Sequence, residues 1–273
     1  MKLGIALRLM GPVSTPEILR EGARAAEAAG LDDLWVPDHI AIPPDDAEGS
    51  DGRYLDALAS LAFLAAATDT IGLGTAVLIL PYRPPLPTAK WIASIQELSG
   101  GRLQLGVGIG WMDAEFRALG LSRRRRGADA DRTLDLLRRC FDAPDDVVEE
   151  HGQPFLFRPH PPAPPIFVGG AGPHALARAA RYGDGWIPMI SDPQKLAPAI
   201  AQLHELAADA GRPRPEVACF GSVDAGQPSR SVEQLLRLEE IGVTRFITGG
   251  RYQTLAELRK LIDALANLRQ SMS

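Results

Sequence analysis

Eight short runs rich in aliphatic and β-branched residues alternate along this chain with eight stretches of helical periodicity, and no other feature so restricts the fold. The runs fall at 3–7, 33–37, 71–79, 103–107, 166–169, 186–190, 217–220 and 246–248. The helical stretches fall at 15–29, 54–67, 87–98, 128–141, 174–182, 193–210, 231–241 and 254–268. Their ends are marked: Thr15, Pro16 and Glu17 open the first helix and Gly30 closes it, while Gly183 and Gly211 close two others. Strict alternation of strand and helix requires a parallel sheet, and eight repeats in 273 residues match a (β/α)8 barrel, with a doubly wound sheet as the alternative. The runs show little polar alternation, as expected of strands covered on both faces. One barrel domain over 1–273 is therefore expected, with loop insertions at 40–53 and 109–165. The second is the long connection between strands four and five, and both leave C-terminal strand ends, where barrel active sites are built.

Charge and composition then remove whole classes of function. The net charge is −5, so there is no basic excess to neutralise phosphates along a nucleic acid or to hold a membrane surface. Cys140 and Cys219 are far apart and lack C-x-x-C spacing, which argues against a disulfide framework and fits a reducing cytoplasm. The N-terminal apolar run is broken by Arg8 and is too short for a signal-peptide core, and no apolar stretch reaches membrane-spanning length. The histidines at 151, 160, 174 and 204 are scattered without H-x-H or H-E-x-x-H spacing, so no metal site is expected.

Chemistry in a barrel should come from polar residues and glycines at the C-terminal strand ends. Asp38 and His39 follow the second run. An imidazole exchanges protons near neutrality and the adjacent carboxylate supplies charge or a hydrogen bond; the competing reading is a loop histidine bonded to backbone carbonyls. Gly106, Gly108 and Gly110 finish the fourth run, where they either let a flat ligand approach the backbone or serve tight strand packing. Gly169, Gly170, Ala171 and Gly172 link the fifth run to a helix whose free N–H groups would cradle a phosphate, unless the segment is a plain strand-to-helix turn. Gly170, Gly172 and Ala175 satisfy G-x-G-x-x-A, but the next run offers Ile190 and Ser191 where a dinucleotide site needs an acid. The run Arg123 to Arg126 reads as a solvated turn or as an anion grip.

Four ordered segments, AAEAAGLDDLWVPDH (25–39), LAFLAAATDTIGLGTAVLILPYRPPLPTAK (61–90), LSGGRLQLGVGIGWMDAEFRALG (98–120) and PIFVGGAGPHALARAARYGDGWIP (165–188), together resemble the luciferase-like flavin and deazaflavin oxidoreductases, in particular the branch using coenzyme F420. Beyond about residue 190 the likeness is only barrel-like. The resemblance implies a ring lying across the strand ends, with its phosphate on the turn of Gly169, Gly170, Ala171 and Gly172. Asp38 and His39 match the ring-proximal pair, and His39 would handle a proton beside the hydride-bearing carbon. Thr75, Ala76 and Val77 match a bulge behind the ring that carries a non-prolyl cis peptide in the family. Gly108, Gly110 and Trp111 match the segment beside the cofactor. Trp111 departs from relatives with a glutamate there, which argues against a sugar-phosphate dehydrogenase.

The resemblance thus implies an F420-dependent oxidoreductase exchanging hydride with a small organic substrate. The alternatives are an FMN-dependent monooxygenase fed by a separate reductase and a non-catalytic cofactor-binding barrel. A homodimer is implied as well. Arg178, Arg181 and Lys195 are candidate contacts for the anionic tail of F420, or else members of helix-surface salt bridges.

Overall fold

The computed structural model describes every residue except Glu48, Ala225 and Ser273, so one position of the 40–53 loop lies outside the described residues. Eight strands form the barrel: β1 (Lys2–Ala6), β2 (Asp33–Val36), β3 (Gly72–Thr75), which resumes as the two-residue β4 (Leu78–Ile79), β5 (Leu103–Gly108), β8 (Ile166–Gly169), β9 (Gly185–Ile187), β10 (Glu216–Gly221) and β11 (Arg245–Gly249). A hairpin of β6 (Val147–Glu150) and β7 (Gln153–Leu156) stands apart from them. Every neighbouring barrel pair is parallel, β1 pairs with β11, and the β3–β5 ladder, Leu73 opposite Leu103 and Gly74 opposite Gln104, closes the ring.

Nine helices are described: α1 (Pro16–Ala28), α2 (Ala57–Ala65), α3 (Pro85–Leu98), α4 (Asp113–Ala118), α5 (Arg126–Phe141), α6 (Pro173–Tyr182), α7 (Pro193–Asp209), α8 (Pro228–Glu240) and α9 (Leu255–Met272). The start of α1 follows its sequence signal: Thr15 accepts the Ile18 N–H at 3.2 Å and Pro16 occupies the first turn, where its missing donor costs nothing. Helix α7 buries Leu196, Ile200, Leu203 and Ala207, spaced to form one stripe against the strands.

Three sequence expectations are corrected. The predicted strand 71–79 is split, because between the pairs Gly74–Gln104 and Leu78–Val107 one strand advances four residues and its partner three; the extra residue is a bulge at Thr75–Val77. The predicted strand 186–190 stops at Ile187, and Ser191 lies past the strand end. The 109–165 connection is a structured excursion containing α4, α5 and the β6–β7 hairpin, not helix 128–141 alone.

Large side chains plug the barrel interior. The rings of Trp35 and Phe167 meet edge to face at 5.7 Å, and the Arg245 guanidinium lies 5.8 and 5.3 Å from their centroids. Burial pulls the Arg245 pKa down to about 10, and Asp33 and Glu216, each at the start of its strand, bond its guanidinium. A Cβ on Gly74 would sit 2.4 Å from Trp35, and one on Gly185 would sit 2.2 Å from Phe167, so only glycine leaves room for these rings. The plug begins at the N-terminal strand ends and leaves the opposite mouth for a ligand.

Candidate functional site

His39 follows β2 at that mouth. Its Nδ1 lies 2.9 Å from Oε2 of Glu115, a residue of α4 with no solvent exposure. The other carboxylate oxygen accepts the N–H groups of Ile40 at 2.7 Å and Ala41 at 3.0 Å, and the Tyr82 hydroxyl donates to Oε2 at 3.0 Å. Burial alone would raise the Glu115 pKa, but the bonds from His39, Ala41 and Ile40 outweigh it and hold the pKa at about 2. Burial, reinforced by Glu115, pushes the Tyr82 hydroxyl far above its ordinary value, so it remains a donor. A carboxylate only accepts, which fixes the His39 proton on Nδ1. Nε2 has no hydrogen-bond partner among the described residues and is the atom left for chemistry. The His39 ring sits 5.0 Å from Tyr54 and 6.4 Å from Trp111.

Asp38 is not the partner that sequence adjacency suggested. Its carboxylate accepts the Ile79 N–H at 2.8 Å and both ends of the Arg83 fork at 2.6 and 2.7 Å, and its side chain is wholly buried. Arg83 also binds Asp56, which caps α2. Asp38 thereby ties β2 to β4 and, through Arg83, to α2, a structural role that sequence adjacency to His39 did not suggest.

The bulge forms the floor. The Ala76–Val77 peptide is cis, and both residues are half-buried. The buried Thr75 hydroxyl donates to the Gly106 carbonyl at 2.6 Å and staples β3 to β5. Gly108 and Gly169 are explained by packing, because a Cβ on either would fall 2.4 or 2.7 Å from a methyl of Val77. They seat the bulge from below. Gly110 turns the chain at φ +73°, and its Cβ would meet Ile79 at 2.9 Å. Trp111, 65% exposed, stands on the rim.

Across the mouth lies the glycine turn. The Gly170 N–H donates to Ile187 O at 3.1 Å and its carbonyl accepts Trp186 Nε1 at 2.8 Å, which pins the turn to β9. Gly172, at φ +80° with open space where a Cβ would go, caps α6. The backbone N–H groups of Ala171, Gly172 and His174 are exposed and have no acceptor among the described residues, and no acid occupies the first turn of α6. These donors fit a phosphate. Two of the cations proposed for a cofactor tail are engaged elsewhere: Arg178 Nε bonds Asp131 at 2.6 Å, and the Arg181 guanidinium lies over Tyr182 at 4.7 Å. Lys195 is exposed on α7. Arg126 bonds back to the Arg123 carbonyl and Arg125 pairs with Asp129, which supports the solvated-turn reading of the arginine run.

Between β1, β2, β10 and β11 the mouth opens into a cleft of about 280 Å³ that reaches Ala76. Met10 lines it, and the Met10 sulfur accepts the Tyr54 hydroxyl at 3.3 Å, so a single aromatic ring separates this cleft from His39. No group of three or more potential metal ligands occurs among the described residues, and no helix among them is long and apolar enough to cross a membrane.

The model of the luciferase-like monooxygenase family matches residues 5–271, which includes every element of this mouth. The chain belongs to the luciferase-like monooxygenase family. Among relatives, it is 34% identical over 247 residues to an uncharacterised protein of Mycobacterium tuberculosis (Rv0940c), covering 84% of this chain and 83% of that protein. It is 29% identical over 254 residues to the 5,10-methylenetetrahydromethanopterin reductase of Methanolobus tindarius, covering 89% of this chain and 71% of that one. An F420-dependent secondary alcohol dehydrogenase bound to an F420–acetone adduct superposes with a TM-score of 0.82 at 19% identity over 100% of this chain and 99% of that one. The EDTA monooxygenase EmoA of Chelativorans sp. BNC1 does so with a TM-score of 0.82 at 15% identity, over 99% and 93%. These structural likenesses bear on the fold, the barrel of a luciferase-like protein. Family membership extends past residue 190, where the sequence motifs fade.

Within this luciferase-like barrel, Glu115, Tyr82 and Tyr54 are the site residues that sequence reasoning missed. Glu115 stands in the 98–120 segment, but nothing local distinguishes it from an exposed acid in the first turn of a helix.

Proposed function

We propose that this protein is an F420-dependent oxidoreductase that exchanges hydride between the deazaflavin and a small organic substrate, with His39 as the proton-handling residue. The observation that carries this reading is the His39–Glu115 pair: a buried anion holds Nδ1 and leaves Nε2 without a partner among the described residues. In a barrel that only stored a cofactor, a carboxylate buried for this purpose would have no chemical use. When bound, the deazaflavin supplies two-electron hydride chemistry. The N–H groups of Ala171, Gly172 and His174 would hold its phosphate, and Ala76 and Val77 would support its ring. His39 Nε2 would take the proton of a substrate hydroxyl when the carbinol carbon gives up its hydride to the bound deazaflavin, and would return that proton when the reaction runs the other way. The F420-dependent secondary alcohol dehydrogenase of the same fold supports this choice of cofactor class.

The test is fluorescence titration of the purified chain with F420 and with FMN, followed by turnover of His39→Ala. F420 should bind at least about tenfold tighter than FMN, and the substitution should lower turnover about 100-fold or more with little change in melting temperature. Preference for FMN would transfer the protein to the monooxygenase reading, and undiminished turnover in the variant would remove His39 from the chemistry.

A further inference from the structure

We propose that the cleft beside the bulge binds the substrate through a carboxylate, held by Arg8 and Arg251, and that the substrate is a small organic acid with an apolar body. This substrate class rests on the oxidoreductase reading above. At about 280 Å³ the cleft lies just under the roughly 300–1,000 Å³ of drug-sized sites, so it suits a small molecule. Its walls are apolar, with Leu7, Trp35, Ala76 and Phe220 among them. Among the described residues, the charged side chains lining it are both arginines.

Neither Arg8 nor Arg251 has an ion pair among the described residues. Arg8 is nonetheless held in place: Nη1 donates to the Tyr252 carbonyl at 3.0 Å, its backbone N–H donates to the Tyr252 hydroxyl at 2.8 Å, and its guanidinium lies 5.9 Å from that buried ring. Tyr252 thus orients the fork and leaves Nε and Nη2 without an acceptor among the described residues, a donor set that matches a carboxylate. Arg251 is exposed at the rim, free to complete the grip. The cleft reaches Ala76, and Met10 in its wall bonds Tyr54, whose ring lies 5.0 Å from that of His39, so an acid anchored by its charge lies beside the bulge that would support the cofactor ring. The glycine turn, with its set of backbone N–H groups, is a separate anion site and remains available to the cofactor.

Calorimetric titration of the whole chain with hexanoate and with the neutral hexanamide, in the wild type and in Arg251→Gln, tests this. Hexanoate should bind the wild type about tenfold or more tighter than hexanamide, and the difference should shrink in about 0.5 M salt, because charge contacts are screened. Arg251→Gln should lose about tenfold in hexanoate affinity with melting temperature and F420 affinity unchanged within about twofold. Arg8→Gln also touches Tyr252, so Arg251→Gln is the deciding variant. Equal binding of the two probes, or an Arg251→Gln variant that holds hexanoate as the wild type does, overturns the proposal. Failure of the wild type to bind F420 while it still discriminates hexanoate would strike the cofactor reading and leave the carboxylate site standing.

Discussion

Glu115 Oε2 and His39 Nδ1 stand 2.9 Å apart across 76 residues of sequence, and this contact sets which nitrogen of the imidazole faces the mouth. Glu115→Gln should separate orientation from folding. The amide oxygen would still accept from Ile40 and Ala41, but the NH2 group would then face His39 and stabilise the tautomer protonated on Nε2. Turnover should fall about 100-fold or more, by the reasoning that applies to any oriented general base. The Tyr82 hydroxyl, left facing a donor, should lower stability by about 1–3 kcal/mol. Steady-state kinetics with thermal melts checks both, and a variant with full turnover would show that the tautomer does not matter.

Acid should loosen this same corner. The Glu115 pKa lies at about 2 in the folded chain against an ordinary 4.5, so the unfolded state binds its proton first as pH falls. The stability it contributes is complete above pH 4.5 and is lost progressively down to about 2. Urea midpoints measured across that window should decline, and the decline should be shallower in Glu115→Gln, which has no such proton to gain.

At the glycine turn, Gly172→Glu should abolish F420 and FMN binding while circular dichroism stays unchanged, because the carboxylate enters the open space beside unpaired N–H groups. Gly172→Ala carries the same strain at positive φ, about 1–3 kcal/mol, without the charge, and should keep most of the affinity. Equal loss in both variants would assign the effect to the backbone. Gly170 is a poorer test, since its Cβ would press on Ala175 at 3.2 Å.

For Asp38 the expected lesion is structural. Asp38→Asn leaves the half-buried Arg83 fork and the Ile79 N–H with a neutral partner, and the loss of a charged hydrogen-bond partner costs about 1–3 kcal/mol. Thermal melts should show the loss, whereas the specific activity of the folded fraction should stay within about threefold, the spread that context alone produces in such contributions. A collapse of activity without a shift in melting temperature would return Asp38 to the chemistry.

The alternation of runs and helices was enough to specify the barrel, because a parallel sheet covered on both faces leaves its period and its apolar strands in the chain itself. The glycine turn could likewise be read directly: strand, glycines and Pro173 are consecutive, so local geometry alone aims the N–H groups of Ala171, Gly172 and His174 outward. Adjacent residues at a strand end point different ways, however, and the tertiary structure separated Asp38 from His39, giving one to Arg83 and the other to Glu115. It also showed that Gly108 and Gly169 make room for Val77, a packing requirement that looks the same in sequence as room for a ligand. That Arg8 and Arg251 have no ion pair among the described residues depends on which carboxylates the fold brings within reach. Ion pairing acts over a few ångströms of space, and only the folded chain fixes those distances.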